Sequence, residues 1–436
     1  MTARIALLLC LFGFACPTFA LAQDDEATPS PAPIQPIAKA IPVEEESSEK
    51  EMADGETGDS DPAKESTSES SEADIPAEPE RARAYTSPPA DDPSFFLMGE
   101  FLGSVNRNNA LGTSNSPEDQ MGLQLRPIGE SDFDALSFSG GLPGEGGKLD
   151  DTMRLVGRRA GEAVVLSGAS IRSSAGDSIP VALFVDPSGC SVIDSSGKLL
   201  GRLDKITRKS RTLGATPPEG AVVLFDGTDT SLLNNATVTD EGLLAEGFSI
   251  KPMIQDFDLH IEFMTPYMPD FDEQKRGNSG VYIHSRYECQ VLDSFAQDPK
   301  YNGLGAIYTV RAPDVNMAFA PLVWQTYDIR FTAPRYNSDG TKFSNARITS
   351  WVNGVKVQDD ITIEAPTGYG KPEEPVMLPV LLQNHGDPVR FRNMWMIDRG
   401  LMQVEFPVEK SEDAGEQDQV EAEPVTESEG ILPAPR

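Results

Sequence analysis

Cysteine is scarce, with four in 436 residues, and Cys10 and Cys16 sit in an N-terminal apolar segment. Cys190 and Cys289 remain, too few and too far apart for the disulfide framework of a small secreted domain. Neither has C-x-x-C spacing, which removes the simplest redox and zinc sites; two free, half-buried thiols are expected. Basic residues are also few, 36 against 69 acidic, for a formal charge of −33. That balance excludes the counterion-displacing surface needed for nucleic acid and an electrostatic hold on an anionic membrane. No D-x-D-x-D-G calcium loop is present. Past the N-terminus no apolar run is long enough to cross a bilayer, so no transmembrane segment is expected and the mature protein should be soluble.

The ends are distinctive. Arg4, the apolar stretch 5–15 and Ala20-Leu21-Ala22 read as a cleavable secretory signal over residues 1–22, placing the protein in a secreted or periplasmic compartment. Cys16 offers a lipoprotein alternative, but Gly13 stands where a lipobox wants leucine. Residues 23–92 and 406–436 are rich in Pro, Ser, Glu and Asp and poor in residues to bury, which predicts disordered acidic segments.

Between them the chain predicts two all-β units. Residues 93–211 carry short apolar runs at 99–105, 121–127, 133–138, 163–167, 181–185 and 191–193, separated by Gly, Pro and Ser clusters. They predict a small β accessory domain without paired acids, histidine or a phosphate cradle. A basic, Pro-containing linker follows over 207–220. Residues 220–405 alternate apolar and polar at 257–264, 280–284, 287–293, 325–332, 347–352, 376–383 and 389–397, with turns such as Asn353-Gly354. Many short strands in one unit predict a sandwich or jelly roll.

Strand parity sorts the polar residues. Glu288 and Gln290 share a face opposite Tyr287, Cys289 and Val291. Asp258, His260 and Glu262 lie opposite the apolar side of their strand, on a face read as solvated, with a metal site as the alternative. Val389, Phe391 and Trp395 read as core, with Arg390 and Arg392 on the other side. Such a face suits sugar hydroxyls, with Trp324 or Tyr327 offering a ring to their C–H faces. Each residue also has a plain structural account: an ion pair for Glu288, a turn for His385 and for Asn278-Ser279-Gly280, a hairpin end for His284.

Several motifs in order go further. Leu224-Phe225-Asp226-Gly227, Asn278-Ser279-Gly280-Val281-Tyr282 and Arg286-Tyr287-Glu288-Cys289-Gln290-Val291-Leu292-Asp293 are followed by Gly305-Ala306-Ile307-Tyr308 and Trp324-Gln325-Thr326-Tyr327-Asp328. Asn353-Gly354, Leu382-Gln383-Asn384-His385-Gly386 and Arg390-Phe391-Arg392-Asn393-Met394-Trp395 complete the series. Over about residues 220–398 the chain resembles the 3-keto-disaccharide hydrolase family, the 3-keto-glucoside 1,2-lyase/3-keto-2-hydroxy-glucal hydratases. The resemblance implies a concanavalin A-like jelly roll acting on oxidised (3-keto) glycosides or glycan. A C3 ketone acidifies the C2 proton, so a base can remove it, the aglycone can leave C1, and water can add to the enone. It implies Glu288 and His385 as base and acid in an order left open. Asn278, Gln290, Gln383 and Arg392, then Asn316 and Trp324, are implied as sugar contacts. A divalent metal ion held by the substrate's C3 carbonyl and C2 hydroxyl would stabilise the enolate; metal ligands are unassigned and no organic cofactor is implied. The family commonly reads Gln-Asp-His-Gly where Asn384 stands here, often has a tryptophan soon after Phe-Asp-Gly where this chain has Leu232-Leu233, and usually has an aliphatic residue at the position of Cys289. A non-catalytic carbohydrate-binding sandwich, or a structural surface protein, is the alternative: an enzyme requires Glu288 and His385 to converge in one concave pocket with Gln290 and Arg392, a binding module an open groove with exposed aromatics such as Trp324, and a structural protein a surface ion pair at Glu288.

Overall fold

The computed structural model describes residues 83–107, 119–173 and 176–400. The signal segment 1–22, residues 23–82 of the acidic linker, and residues 401–436 lie outside the described residues. A short helix α1 (Pro93–Leu97) opens the folded part, with proline in its first turn and the Asp92 carboxylate accepting from the Ser94 and Phe95 amides. No helix among the described residues is long and apolar enough to cross a membrane.

Eight antiparallel strands then close into a barrel: β1 (Gly99–Val105), β2 (Gln120–Ile128), β3 (Asp132–Ser139), β4 (Thr152–Ala160), β5 (Ala163–Arg172), β6 (Ser178–Asp186), β7 (Gly189–Asp194) and β8 (Leu199–Ile206). They pair in sequence order, and β8 returns to β1 with Leu203 opposite Gly103. Closure leaves no edge strand. Phe101, Leu125, Phe133, Leu166, Leu183 and Leu203 fill the interior, each worth about 1.5–3 kcal/mol of burial. β4 escapes the period-two reading because Arg154, Arg158 and Arg159 interrupt its apolar residues.

The second unit is a β-sandwich. Its strands are β9 (Val222–Phe225), β10 (Leu233–Asn234), β11 (Leu244–Ala245), β12 (Phe248–Ile250), β13 (Phe257–Met264), β14 (Ser279–Ile283), β15 (Tyr287–Val291), β16 (Gln325–Thr332), β17 (Arg335–Tyr336), β18 (Lys342–Ser344), β19 (Ala346–Val352), β20 (Val355–Ile363), β21 (Leu381–Leu382) and β22 (Arg390–Asp398). One sheet has five strands in the order β10-β12-β21-β14-β15. The other has seven, β11-β22-β13-β16-β19-β20 with β9 also on β22; β17 and β18 form a separate ribbon. Val281, Ile283, Tyr287, Cys289 and Val291 of the smaller sheet meet Phe257, Leu259, Ile261, Phe263 and Ile329 of the larger. The β14–β15 hairpin turns over residues 284–286, with His284 and Ser285 at positive φ and the Arg286 amide donating to the Ile283 carbonyl at 3.0 Å. Cys190 and Cys289 are free and fully buried rather than half-exposed, and burial pushes both thiols up to about 12.

Three segments depart from the sequence expectation. Residues 83–92, assigned by composition to the acidic linker, lie on the sandwich. Tyr85 exchanges backbone hydrogen bonds with Tyr267 at 3.0 and 2.9 Å, its ring stacks on that of Tyr267, and Arg83 pairs with Asp270. Two anchoring side chains outweigh an otherwise unburiable composition. Residues 207–216, read as a linker, form a strap across the outer face of the seven-stranded sheet. Arg208 meets Glu100 of β1 through Nε at 2.8 Å and Nη2 at 2.5 Å, both residues buried. Ser210 and Thr212 reach Thr326, Thr212 donates to Asp328, and the Gly214 amide donates to Glu262. Finally, the apolar parity of β22 changes part-way. Phe391 faces the core, but so do Met394 and Met396, while Trp395 turns outward onto the His260 ring. Asn393 at positive φ and register shifts in both flanking pairings mark the bulge responsible.

Candidate functional site

The outward face of the five-stranded sheet carries the clustered polar residues. Tyr287, Cys289 and Val291 point into the core, which sends Glu288 and Gln290 the other way. Across the β14–β15 pairing Tyr282 stands opposite Glu288 and Gly280 opposite Gln290. Tyr282 donates its hydroxyl to Glu288 Oε2 at 2.8 Å. With its amide nitrogen turned toward the neighbouring acceptors, Gln290 donates to the Ser279 carbonyl at 2.8 Å and to Glu288 Oε1 at 3.2 Å.

Two glycines make the space for this carboxylate. A Cβ at Gly280 would lie 2.4 Å from Glu288 Oε1, and one at Gly368 would lie 3.2 Å from Oε2. The loop bearing Gly368 is tied to β15 by Thr367, whose hydroxyl oxygen accepts from the Glu288 amide. On the open edge of β15, residues 305–308 pair with the strand, and the Tyr308 amide donates to the Glu288 carbonyl at 3.0 Å. Glu288 is 3% exposed. Burial raises its pKa to about 7, with the Tyr282 hydrogen bond acting in the opposite direction.

Of the residues selected from sequence, Asn278, Gln290 and Gln383 join Glu288. Asn278 donates through Nδ2 to the Gln274 carbonyl, and its amide donates to Asp387 Oδ2 at 2.6 Å. Gln383 bonds to Gly280 through its backbone, places Nε2 3.5 Å from the Tyr282 hydroxyl, and keeps a buried Oε1 without a partner. His385 is exposed on the turn just beyond, within electrostatic reach of Asp387. Asn384, at the position commonly acidic in the family, caps that turn by accepting from the Gly386 amide at 2.8 Å. An aspartate would make the same bond.

Arg392, Trp324 and Asn316 do not join this group. Arg392 leaves β22 on the outer side of the opposite sheet, where it pairs with Glu262 at 2.7 Å and lies 3.8 Å from the centre of the Trp324 ring. Asn316 is committed to its own loop, donating to the Ser294 and Gln297 carbonyls. On that opposite face His260, Glu262 and Asp328 form a second titratable cluster beneath the strap, with His260 Nδ1 2.6 Å from Asp328. His260 and Glu262 are buried, not solvated; strand parity told which face they occupy but not that a later segment covers it.

Sequence reading also missed the tyrosines. Tyr282 and Tyr308 were visible only as letters within motifs, and Tyr301 and Tyr369 carried no signal. Tyr301 and Tyr369 are 59% and 92% exposed, and both interact electrostatically with the Tyr308 hydroxyl, as does Glu288. They form an aromatic rim beside the carboxylate.

Residues 220–397 match the profile of the 3-keto-alpha-glucoside-1,2-lyase-like domain. The chain belongs to this family through its sandwich. A candidate glycosyl hydrolase of known structure from Parabacteroides distasonis aligns at 32% identity, covering 42% of this chain and 84% of that one, with a TM-score of 0.39. A second from the same organism aligns at 18% identity over 41% and 94%, TM-score 0.30. No curated protein matches. Family membership makes the sandwich a carbohydrate-processing domain.

The donor set beside Glu288 does not fit a resident metal. Glu288 is bound to Tyr282 and Gln290, Asp387 is committed to the Asn278 amide, and among the described residues no group of three or more His, Cys, Asp or Glu side chains is arranged to hold a metal ion. The arrangement instead supplies one buried carboxylate poised near neutrality, amides for hydroxyl recognition and a ring of phenols.

Proposed function

We propose that the sandwich cleaves 3-keto-glycosides by elimination and hydration, with Glu288 as the base. The observation carrying this is a buried carboxylate, hydrogen-bonded to the Tyr282 hydroxyl, whose pKa stands near 7. A general base works best when its pKa lies near the operating pH.

Glu288 removes the C2 proton, acidified by the adjacent C3 ketone, and the electron pair moves into the enolate. Collapse of the enolate restores the C3 carbonyl, forms the C1–C2 double bond and expels the aglycone oxygen with the C1–O electrons. That oxygen takes a proton from His385 at the rim, the role left to it once the buried carboxylate serves as base. Water then adds at C1, giving up a proton to His385, while C2 regains a proton from Glu288; both groups return to their starting states and the sum is hydrolysis. Gln290 and Gln383 hold sugar hydroxyls: the unpartnered Gln383 Oε1 accepts one, at little desolvation cost because it is already buried. A second reading, a binding module, draws support from the exposed Tyr301 and Tyr369.

Release of a chromogenic aglycone from a 3-keto-glucoside by the full chain separates the two. Turnover should fall by about 10²–10⁴ in Glu288→Gln, the span of a general base, with less effect from Arg392→Ala. Glycan binding without turnover would leave the binding module.

A further inference from the structure

The barrel has no part in the reaction above, yet it completes a second concavity where it meets the sandwich. A cavity of about 430 Å³ is bounded by Arg126, Asp134 and Arg154 of β2, β3 and β4 on one side and by residues 269–273, Gln297 and Lys300 of the sandwich on the other. Ligand pockets run from about 300 to 1,000 Å³. Its wall combines guanidinium groups, carboxylates, an amide and the half-buried ring of Phe271, the mixture that hydroxyls and the C–H face of a sugar require.

Arg126 is the buried cation of this wall. It is 5% exposed, and only its Nη2 is satisfied, by Asp134 at 3.2 Å; Nε and Nη1 have no partner. Behind it the fully buried Arg276 also has an unpartnered Nη2. Buried donors without acceptors are costly unless something supplies the acceptors. A second anion is disfavoured, since the wall already sets Asp134, Asp270, Asp272 and Glu273 against Arg126, Arg154 and Lys300. Neutral hydroxyl oxygens accept without adding charge.

The cavity also adjoins the Glu288 face. Glu273 and Lys300 line it, while close neighbours along both segments meet on the Glu288 side: Gln274 donates to the Asn302 carbonyl at 2.9 Å and lies 3.1 Å from the Gln290 amide. One 3-10 turn, Glu273–Lys275, separates the two places.

We propose that the barrel–sandwich junction is a neutral-glycan subsite, in which Arg126 and Arg154 hold a sugar unit remote from the one processed at Glu288. This rests on the carbohydrate reading of the sandwich and extends it to chains of several sugars. Binding of neutral glucose oligomers, tetra- to hexasaccharides in α-1,4 and β-1,4 linkage, is measured by calorimetry on the full chain, with no turnover required. Arg154→Ala, at a partly exposed side chain whose ion pair with Asp298 lies at the surface, and Arg126→Met should each weaken binding about tenfold or more, a factor worth 1.4 kcal/mol. Both should leave turnover of a short 3-keto-glucoside unchanged. Absence of binding to every oligomer, binding that Arg154→Ala leaves intact, or tighter binding of oligogalacturonate than of neutral oligomers would overturn the subsite. Failure of the Glu288 reading appears separately, as loss of short-substrate turnover in the unaltered chain.

Discussion

Glu288 is the residue at which environment and chemistry meet most directly. Its parity on β15 was legible, since a strand reading Tyr-Glu-Cys-Gln-Val must present glutamate and glutamine together. Its depth was not. Burial comes from the loops bearing Tyr308 and Gly368, which no local period encodes. With a pKa of about 7, the ionised base accumulates as pH rises, so the acid limb of kcat/KM should climb through that value. The Tyr282 hydroxyl stabilises the ionised form. Tyr282→Phe should therefore move the acid limb upward, and a pH–rate profile reads the displacement directly. An unmoved limb would mean that Glu288 is not the titrating base.

At the scale of elements, β22 and the strap show where sequence reading stops. Alternation placed Phe391 inside and Arg392 outside correctly, then failed at Trp395, because the bulge at Asn393 adds a residue that hydropathy does not reveal. The strap looked like a linker because Thr207 to Gly220 is polar and proline-bearing. Its polar groups are instead the partners of an otherwise unsatisfied sheet face. Burial opposes ionisation of Glu262, but the His260 ring 3.9 Å away and hydrogen bonds from Asn393, the Gly214 amide and Arg392 hold its pKa down at about 2. His260 is likewise desolvated, yet its hydrogen bond to Asp328 and the nearby Glu262 carboxylate raise it above 6.5. Glu262 stabilises the fold above its ordinary value of 4.5 and loses that contribution as pH falls toward 2. His260 contributes below 6.5 and loses its contribution as pH rises through its raised value. The strap is held best between those limits. Glu262→Gln should cost about 3 kcal/mol, the low end for opening a buried charge pair, and should make residues 210–215 a site of limited proteolysis. Unchanged protease resistance would show that the strap is held elsewhere.

For the whole molecule, composition marked out two all-β regions between acidic ends but gave no sign that they share an interface. That interface depends on single residues far apart in sequence. Arg208 also donates to the Pro143 carbonyl and stacks over Phe319 at 5.0 Å, and Arg276 of the sandwich donates to the Pro127 carbonyl of the barrel at 3.0 Å. These are partners that neither unit could supply alone. The sandwich by itself would present the Arg276 guanidinium, Phe319 and the face around His260 and Glu262 without cover. Residues 220–400 expressed alone should therefore unfold at lower temperature than residues 83–400 and should associate in size-exclusion chromatography. The longer chain should melt in one cooperative transition. Within it, Arg208→Ala strands Glu100 as a buried charge bonded only to Gln124 and should cost about 3–5 kcal/mol. Two separate transitions, with the sandwich melting at the same temperature alone as when joined, would instead make the barrel an independent appendage and leave the covered face without an energetic role.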